Sequence, residues 1–421
     1  MTDQPEPGPG SRTVTRLTTR EAAELLGVKP ETVYAYVSRG QLSSVRAAGG
    51  RGSTFDADEV RALARRSGRR DPAPAGGDLA FRTGITLIED DRYYFRGVDA
   101  TELARRHRYE EVAEWLWTGE LRPGTRFEAP AGTLAAARRA VAALPAHSGS
   151  TDRLRAAVTA AAAMDPLRFD LAPEAVLSSA RALIPTLVGA LPPVGEGETD
   201  AGADGDALAR QLWPRLTARP PDAPALAVLD AALTLLIDHD LAASTLAARV
   251  AASARAHPYA VVSAGLGVLE GPLHGAASGL AHRMLQEAVD RGSAVPVVAD
   301  HLRTGRPVPG LGHRLYRAED PRARTLFALL EDVPQAAGAL AAAREVVATT
   351  ARHAPLPANI DLALAVLSVA CGMAAEAGET VFAVSRTAGW IAHALEEYGE
   401  RPLRIRPSGQ YTGPRPPQPL P

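Results

Sequence analysis

The sequence predicts a mainly helical protein in which a small helix-turn-helix module precedes a much larger domain. Three observations carry that expectation. Ala/Leu-rich helical periodicity fills the chain beyond its first quarter and runs almost to the end. A stretch mixing charge with Pro and Gly, GRRDPAPAGGD at 68–78, divides the chain unequally and reads as a linker. The length of 421 residues, 46% apolar and 22% charged, is too great for one small module and ample for a core.

Residues 1–15 are rich in Pro, Gly, Ser and Thr and are expected to form a flexible tail. In 16–67, Thr18 and Glu21 are spaced as a capping box ahead of AAELLG, with Gly27 as the stop. Pro30 can open a second helix, PETVYAYVSRG, that ends at Gly40. In LSSVRAAGGRGSTF the AGGRG suits a hairpin tip, and DADEVRALARR is a third amphipathic helix with Val60 and Leu63 on one face. Leu25, Leu26, Val28, Val33, Val37 and Leu63 are the expected core of this module. After the linker, GITLIEDDRYYFRG reads as two short strands, and helix follows. The helical run is interrupted by Pro192–Gly205 (PPVGEGETDAGADG), expected to be a flexible insertion, and by the Pro-rich end from Pro407, with 415–421 a tail. No internal repeat is visible.

Composition excludes several classes. The only cysteine, Cys371, rules out an internal disulfide framework and a multi-cysteine zinc site, so no metal is expected and a reducing, cytoplasmic compartment fits. Charge-free stretches reach at most 14 residues, short of the ~20 apolar residues of a membrane span, and the polar, Pro-rich start does not resemble a secretory signal. The net charge of -2 hides an asymmetry: Ser11 to Arg70 carries 12 basic residues against six acidic ones. Basic charge is therefore concentrated at the front. Arginine abundance itself means little, since 45 of the 46 basic residues are Arg throughout this Ala-rich chain.

Two helices joined by a tight turn and followed by a basic hairpin form the arrangement that lays the second helix in a DNA major groove while the wing touches backbone or minor groove. Lys29, Thr32, Arg39, Arg46 and Arg51 stand where phosphate or base contacts would fall. The string LTTREAAELLGVKPETVYAYVSRGQL, followed by FDADEV, resembles the winged helix-turn-helix of the excisionase and MerR-like group. Double-stranded DNA is the expected partner, with a protein-interaction role as the other use of such a module.

In the large domain, Asp, His and Arg recur beside Gly and Pro, where a chain makes tight active-site turns. The sites are HDLAASTLAARV at 239–250, EGPLHGAASG at 270–279, GLGHRLYRAEDPRA from Gly310, and PANID, which puts Asp361 at the head of the helix LALAVLSVACG. Singly, each has an ordinary explanation: a histidine beside glycine is usually a satisfied loop residue, and Asp361 would serve as an N-cap. Together, in this order, and joined by SRTAGWIAHALEE at 385–397 and RIRPSGQYTGP at 404–414, they resemble citrate synthase over residues 79–414.

That resemblance implies a mainly α, two-domain helical fold with a smaller subdomain at roughly 275–375, assembled as a homodimer. It implies condensation of acetyl-CoA or propionyl-CoA with oxaloacetate, the acyl-CoA being a co-substrate and no other cofactor being needed. Asp361 occupies the position of the carboxylate base, His274 that of the donor to the enolate oxygen, and His313 that of the group polarising the ketone. Arg322, Arg386 and, from the partner subunit, Arg406 match the arginines that hold the carboxylates, with His239 adding a contact. Ser244 matches the residue that orients the enolate-binding histidine, and Arg317 a contact to coenzyme A phosphate. The chain departs from the pattern at Ala242, where the family commonly has Asn, and at AASG after GPLHG, where it has Gly-x-Asn-Glu; Ser278 and Gly279 are expected to remove an acidic corner behind His274. An intact Asp361, His274, His313 set favours an enzyme. The fused basic module favours the other expectation, a transcription regulator that senses oxaloacetate, citrate or an acyl-CoA.

Overall fold

A computed structural model describes residues 16–26, 28–38, 40–46, 53–66, 81–195, 207–271, 274–275, 277–405 and 412–414. The chain divides into two compact units, Met1–Arg82 and Thr83–Pro421.

In the first unit, β1 (Arg16–Thr18) leads into α1 (Thr19–Leu26), followed by α2 (Pro30–Ser38), β2 (Ser44–Arg46), β3 (Ser53–Asp56) and α3 (Ala57–Arg66). The capping box forms: Thr18 N–H donates to Glu21 Oε2 (2.7 Å) and Glu21 N–H to Thr18 Oγ1 (3.3 Å). Val28 N–H returns to the Ala23 carbonyl at 3.0 Å, and Gln41 N–H to that of Tyr36 at 2.9 Å, so both helices stop with the six-to-one bond that glycine stops favour. β2 and β3 pair as the expected antiparallel wing, whose tip, 47–52, lies outside the described residues. The sequence reading missed β1, which pairs with β3 through Leu17 and Phe55 and makes the sheet three-stranded. Ala22, Ala23, Leu26, Val33, Leu42, Phe55, Val60 and Leu63 form a core of their own, with Leu25, Val28 and Val37 packed against it.

The second unit opens on an antiparallel meander, β4 (Thr86–Glu89), β5 (Arg92–Phe95) and β6 (Val98–Asp99), one strand more than expected. Asp99 caps α4 (Ala100–Arg106), and α5 (Tyr109–Thr118), α6 (Ala131–Ala142), α7 (Ser150–Met164) and α8 (Pro173–Ala190) follow. The insertion starts as an ordered turn, with Val194 N–H bonded to Pro214 O (2.8 Å), and residues 196–206 lie outside the described residues. Then come α9 (Leu208–Leu216), α10 (Ala223–Leu236), α11 (Ala243–Ser253), α12 (Pro258–Leu269), α13 (Ala277–Arg291), α14 (Val295–Arg303), α15 (Pro321–Leu330), α16 (Ala337–Ala351), α17 (Ile360–Ala370) and α18 (Ala377–Tyr398). Helix α18 is buried on nearly every side and lies in the middle of the unit, against α5, α7, α8, α10, α11 and α12. Tyr109 and Trp117 of α5 donate to its backbone carbonyls at Ser385 (3.1 Å) and Ala388 (2.9 Å). At Gly389 a Cβ would fall 2.0 Å from Ile237 O, so only glycine lets α18 meet the backbone that leads into Asp238 and His239. Among the described residues no single helix is long and apolar enough to cross a membrane.

Candidate active site

Five of the sequence motifs converge on one cavity of about 320 Å³, lined by His239, His274, His313, Arg322, Asp361 and Arg386, with Ala242, Arg314, Ile360 and Phe382 among the other walls. His239 lies in the turn from α10 to α11, His274 between α12 and α13, and Arg322 in the first turn of α15. Asp361 is the second residue of α17, and Arg386 projects from α18.

The loop carrying His313 is held by the segment that precedes α17. Gly310 and Gly312 adopt φ of +80° and +75°, and a Cβ at Gly310 would approach Leu362 to 2.8 Å. Leu311 bridges Ala358, Asn359 N–H donates to Gly310 O (2.9 Å), and Asn359 Nδ2 donates to Gly312 O (2.9 Å). The Oδ1 of the same side chain accepts Asp361 N–H at 3.0 Å, which makes Asn359, not Asp361, the cap of α17. The Asp361 carboxylate is thereby left without a capping duty. It opens onto the cavity and is otherwise enclosed; burial pushes it up to about 6, with Arg322 opposing and Asp320 adding to the rise.

The imidazoles are set up as neutral donors. Leu315 N–H donates to His313 Nδ1 (3.1 Å), so the proton of the neutral ring sits on Nε2. Burial, followed by the Arg322 charge, brings His313 down to about 4. His274 Nε2 lies 2.8 Å from Ser244 Oγ, and burial and then Arg386 lower its basicity. With the hydroxyl donating, Nδ1–H is the nitrogen left for a ligand. His239 Nε2 is 2.8 Å from Tyr316 Oη, and its ring meets that of His313 edge-on at 5.1 Å. Burial, Arg322, Arg386 and His313 together hold it well below the ordinary histidine range.

The two arginines differ. Arg322 gives Nε (3.0 Å) and Nη2 (2.8 Å) to Asp320, whose Oδ2 also accepts Ile360 N–H at 3.1 Å and so joins the starts of α15 and α17. Arg386 gives Nε to Leu236 O (2.8 Å), stacks on Phe382, and has both terminal nitrogens buried without an acceptor among the described residues. A buried guanidinium with an empty fork is a site for an anion, because an unpaired buried charge is strongly disfavoured and a carboxylate fills the fork bidentately.

Arg317 is exposed and lies apart from the cavity lining, its backbone N–H bonded to Asp91 Oδ1 at 2.6 Å. Arg406 lies outside the described residues, as do Arg39 and Arg51; Lys29 and Arg46 are exposed and Thr32 is half-buried. Ala242 caps α11 without a side-chain bond. The acidic corner expected to be lost at Gly279 is occupied from another helix: a Cβ there would fall 3.0 Å from Glu379 Oε1 and 3.6 Å from Arg283 Nη1. Sequence reasoning missed Asp320, Asn359, Tyr316, Phe382 and Arg314. The string EDPR already carried a signal for the first, an Asp before Pro being a helix start.

Residues 76–408 match the family model described as citrate synthase, C-terminal domain, and residues 16–68 match a helix-turn-helix domain. The citrate synthase of Haloferax volcanii is 33% identical over 363 residues, covering 80% of this chain and 94% of that protein. A 2-methylcitrate synthase of Shewanella oneidensis is 28% identical, over 78% of this chain and 90% of its own length. The crystal structure of citrate synthase from Pyrobaculum aerophilum superposes with a TM-score of 0.67 at 26% identity, over 90% of this chain and 97% of that one.

Proposed function

The chain belongs to the citrate synthase family, and from that premise we propose how its cavity performs the family's reaction. The protein is an acyltransferase of the citrate synthase type: it condenses an acyl-CoA with oxaloacetate, and hydrolysis of the thioester yields the tricarboxylate and CoA. Asp361 takes the proton from the α-carbon of the acyl thioester, a role suited to a carboxylate held at about 6, ionised at neutral pH yet more basic than usual. His274 donates to the enolate oxygen, oriented by Ser244. The enolate carbon attacks the ketone of oxaloacetate while His313 Nε2–H supports the developing alkoxide. Arg386, Arg322 and His239 hold the dicarboxylate, and Arg406 completes the clamp from the partner subunit. Arg317, exposed and outside the cavity lining, is assigned to coenzyme A phosphate by the family pattern alone.

The empty fork of Arg386, buried beside a basic carboxylate and neutral imidazoles, is the observation that carries this assignment. A sensor needs the arginines but has no use for the base. Purified protein given oxaloacetate with acetyl-CoA or propionyl-CoA should release free thiol, and both donors belong in the assay because one methylene is worth only ~1–3 kcal/mol of discrimination. No oxaloacetate-dependent thiol from any short acyl-CoA overturns the catalytic reading and puts the regulator first.

A homodimer is supported by three exposed large apolar side chains close in sequence, Met164 (47%) at the end of α7 and Leu167 (76%) and Phe169 (67%) in the segment after it, since exposed apolar surface marks protein contacts. The amino-terminal unit binds duplex DNA in this reading, with Thr32 at the start of α2 toward the bases and Lys29, Arg39, Arg46 and Arg51 toward phosphates. Its own core and its helix-turn-helix match support that role. A cytoplasmic setting fits a single buried cysteine.

A further inference from the structure

The hairpin of β4 and β5 touches the histidine-bearing walls of the cavity at three points. Thr86 Oγ1–H donates to Oδ2 of buried Asp238, the residue before His239, at 2.6 Å. Tyr93, also buried, turns its hydroxyl to the carbonyls of Asp238 and Leu235 (3.1 Å to the latter), and its ring lies 5.5 Å from that of His239. The third point is the hairpin tip. Asp91 Oδ1 accepts Arg317 N–H at 2.6 Å and Oδ2 accepts Ala318 N–H at 3.1 Å, so one carboxylate holds two successive amides of the loop between His313 and Arg322.

Stability alone is a weak reason for that carboxylate. Glu89 pairs with Arg92, which leaves Asp90 and Asp91 as the two central residues of the turn, at φ of +50° and +55°. A turn with both central residues in the left-handed region favours Asn and Gly, and glycine at 91 would close it with less strain. A hydrogen bond at a half-buried position adds only about 0.5–1.5 kcal/mol net. What Asp91 does fix is the course of the backbone directly after Tyr316. That side chain is buried, its ring 4.9 Å from the ring of His313 and 5.7 Å from the Arg322 guanidinium carbon, and its Oη is 2.8 Å from His239 Nε2. The hydroxyl meets no other acceptor among the described residues, so its proton goes to Nε2 and the neutral His239 ring carries its own proton on Nδ1.

We infer that Asp91 and Tyr316 are positioning residues for oxaloacetate: Asp91 anchors the loop so that Tyr316 meets His239 and holds it in one tautomer for the substrate carboxylate. The inference deepens the proposed reaction and rests on its assignment of His239 to the dicarboxylate.

Full-length variants test it. Asp91→Gly closes the turn easily but loses both amide bonds, and Tyr316→Phe keeps the ring and loses the hydroxyl. Each should raise the oxaloacetate KM about fivefold or more while kcat changes less, because Asp361 and His274 hang from other elements. Calorimetry with oxaloacetate alone should show binding weakened by a similar factor. Asp91→Asn tolerates the turn and can accept only one of the amides, so its KM should fall between wild type and Asp91→Gly. Since Asp91 acts through Tyr316, the double variant Asp91→Gly, Tyr316→Phe should have the KM of Tyr316→Phe alone. A lowered melting midpoint with an unchanged KM would make either residue merely structural and overturn the inference, as would two effects that multiply in the double variant. Wild type that binds oxaloacetate in the calorimeter yet releases no thiol fails the catalytic reading and leaves the positioning test intact. Wild type and both single variants binding oxaloacetate equally removes the positioning role alone, and wild type that does not bind it overturns both.

Discussion

Replacing Asp361 with asparagine should slow the enzyme and stabilise it at the same time. The carboxylate is raised from 3.8 to about 6 on folding, chiefly by burial. A shift of about two units at 1.36 kcal/mol each makes its ionised form cost about 3 kcal/mol of stability at neutral pH. The sign follows from the raised value: the penalty is absent below the unfolded pKa near 3.8, grows as pH rises, and is complete above about 6. Asp361→Asn removes the titrating group, so its thermal midpoint should exceed that of wild type at pH 8, and the gap should shrink by pH 5. Loss of the base should lower kcat at least ~100-fold, with oxaloacetate binding nearly intact. In wild type, kcat/KM should fall with the protonation of Asp361 below about pH 6. Thiol-release kinetics and thermal melts across pH 5–8 on both proteins provide the readouts. Wild-type turnover in the variant would refute the base, and a midpoint difference that ignores pH would refute the burial argument.

Other expectations follow from the same geometry. Arg386→Met should weaken oxaloacetate binding by roughly 30-fold or more, the usual scale for removing one partner of a buried charge pair, and calorimetry should show no compensating loss of fold. Ser244→Ala removes the 2.8 Å bond to His274 and should reduce kcat about tenfold while leaving oxaloacetate KM alone; an equal change in both constants would place Ser244 in substrate binding instead. The double variant Leu167→Asp, Phe169→Asp should sediment as a 44.1 kDa monomer and lose activity, whereas an active dimer would put the subunit contact elsewhere. Full-length protein should retard duplex DNA at low salt, and Lys29→Ala or Arg46→Ala should each flatten the slope of log K against log salt by about 0.9 if each contacts one phosphate.

The residues proposed to do the chemistry were legible because they stand near glycine or proline in an order few folds reproduce. His274 follows GPL, His313 follows GLG, and Asp361 follows PANI. The groups that make those residues work were far less visible, since their partners are set by the tertiary fold. Asp320 looks like an ordinary cap in sequence, and only packing brings it to the backbone of Ile360, forty positions on. Glu379 compensates at Gly279 from a helix a hundred residues away, which no local pattern announces. β1 is three residues long, and only its partner at 54–56 makes it a strand. The ordinary explanation of Asp361 as an N-cap is set aside by the fold, because Asn359, two positions earlier, takes the bond.

Asn359 gives the fold an unusual evolutionary lever. Its carbonyl oxygen accepts from the helix start that bears Asp361, while its amide nitrogen donates to the loop that bears His313, the proposed base and the proposed ketone polariser. A single inherited change at this codon would unsettle both ends of the proton economy together, yet it would leave Arg322 tied to Asp320 and the fork of Arg386 in place.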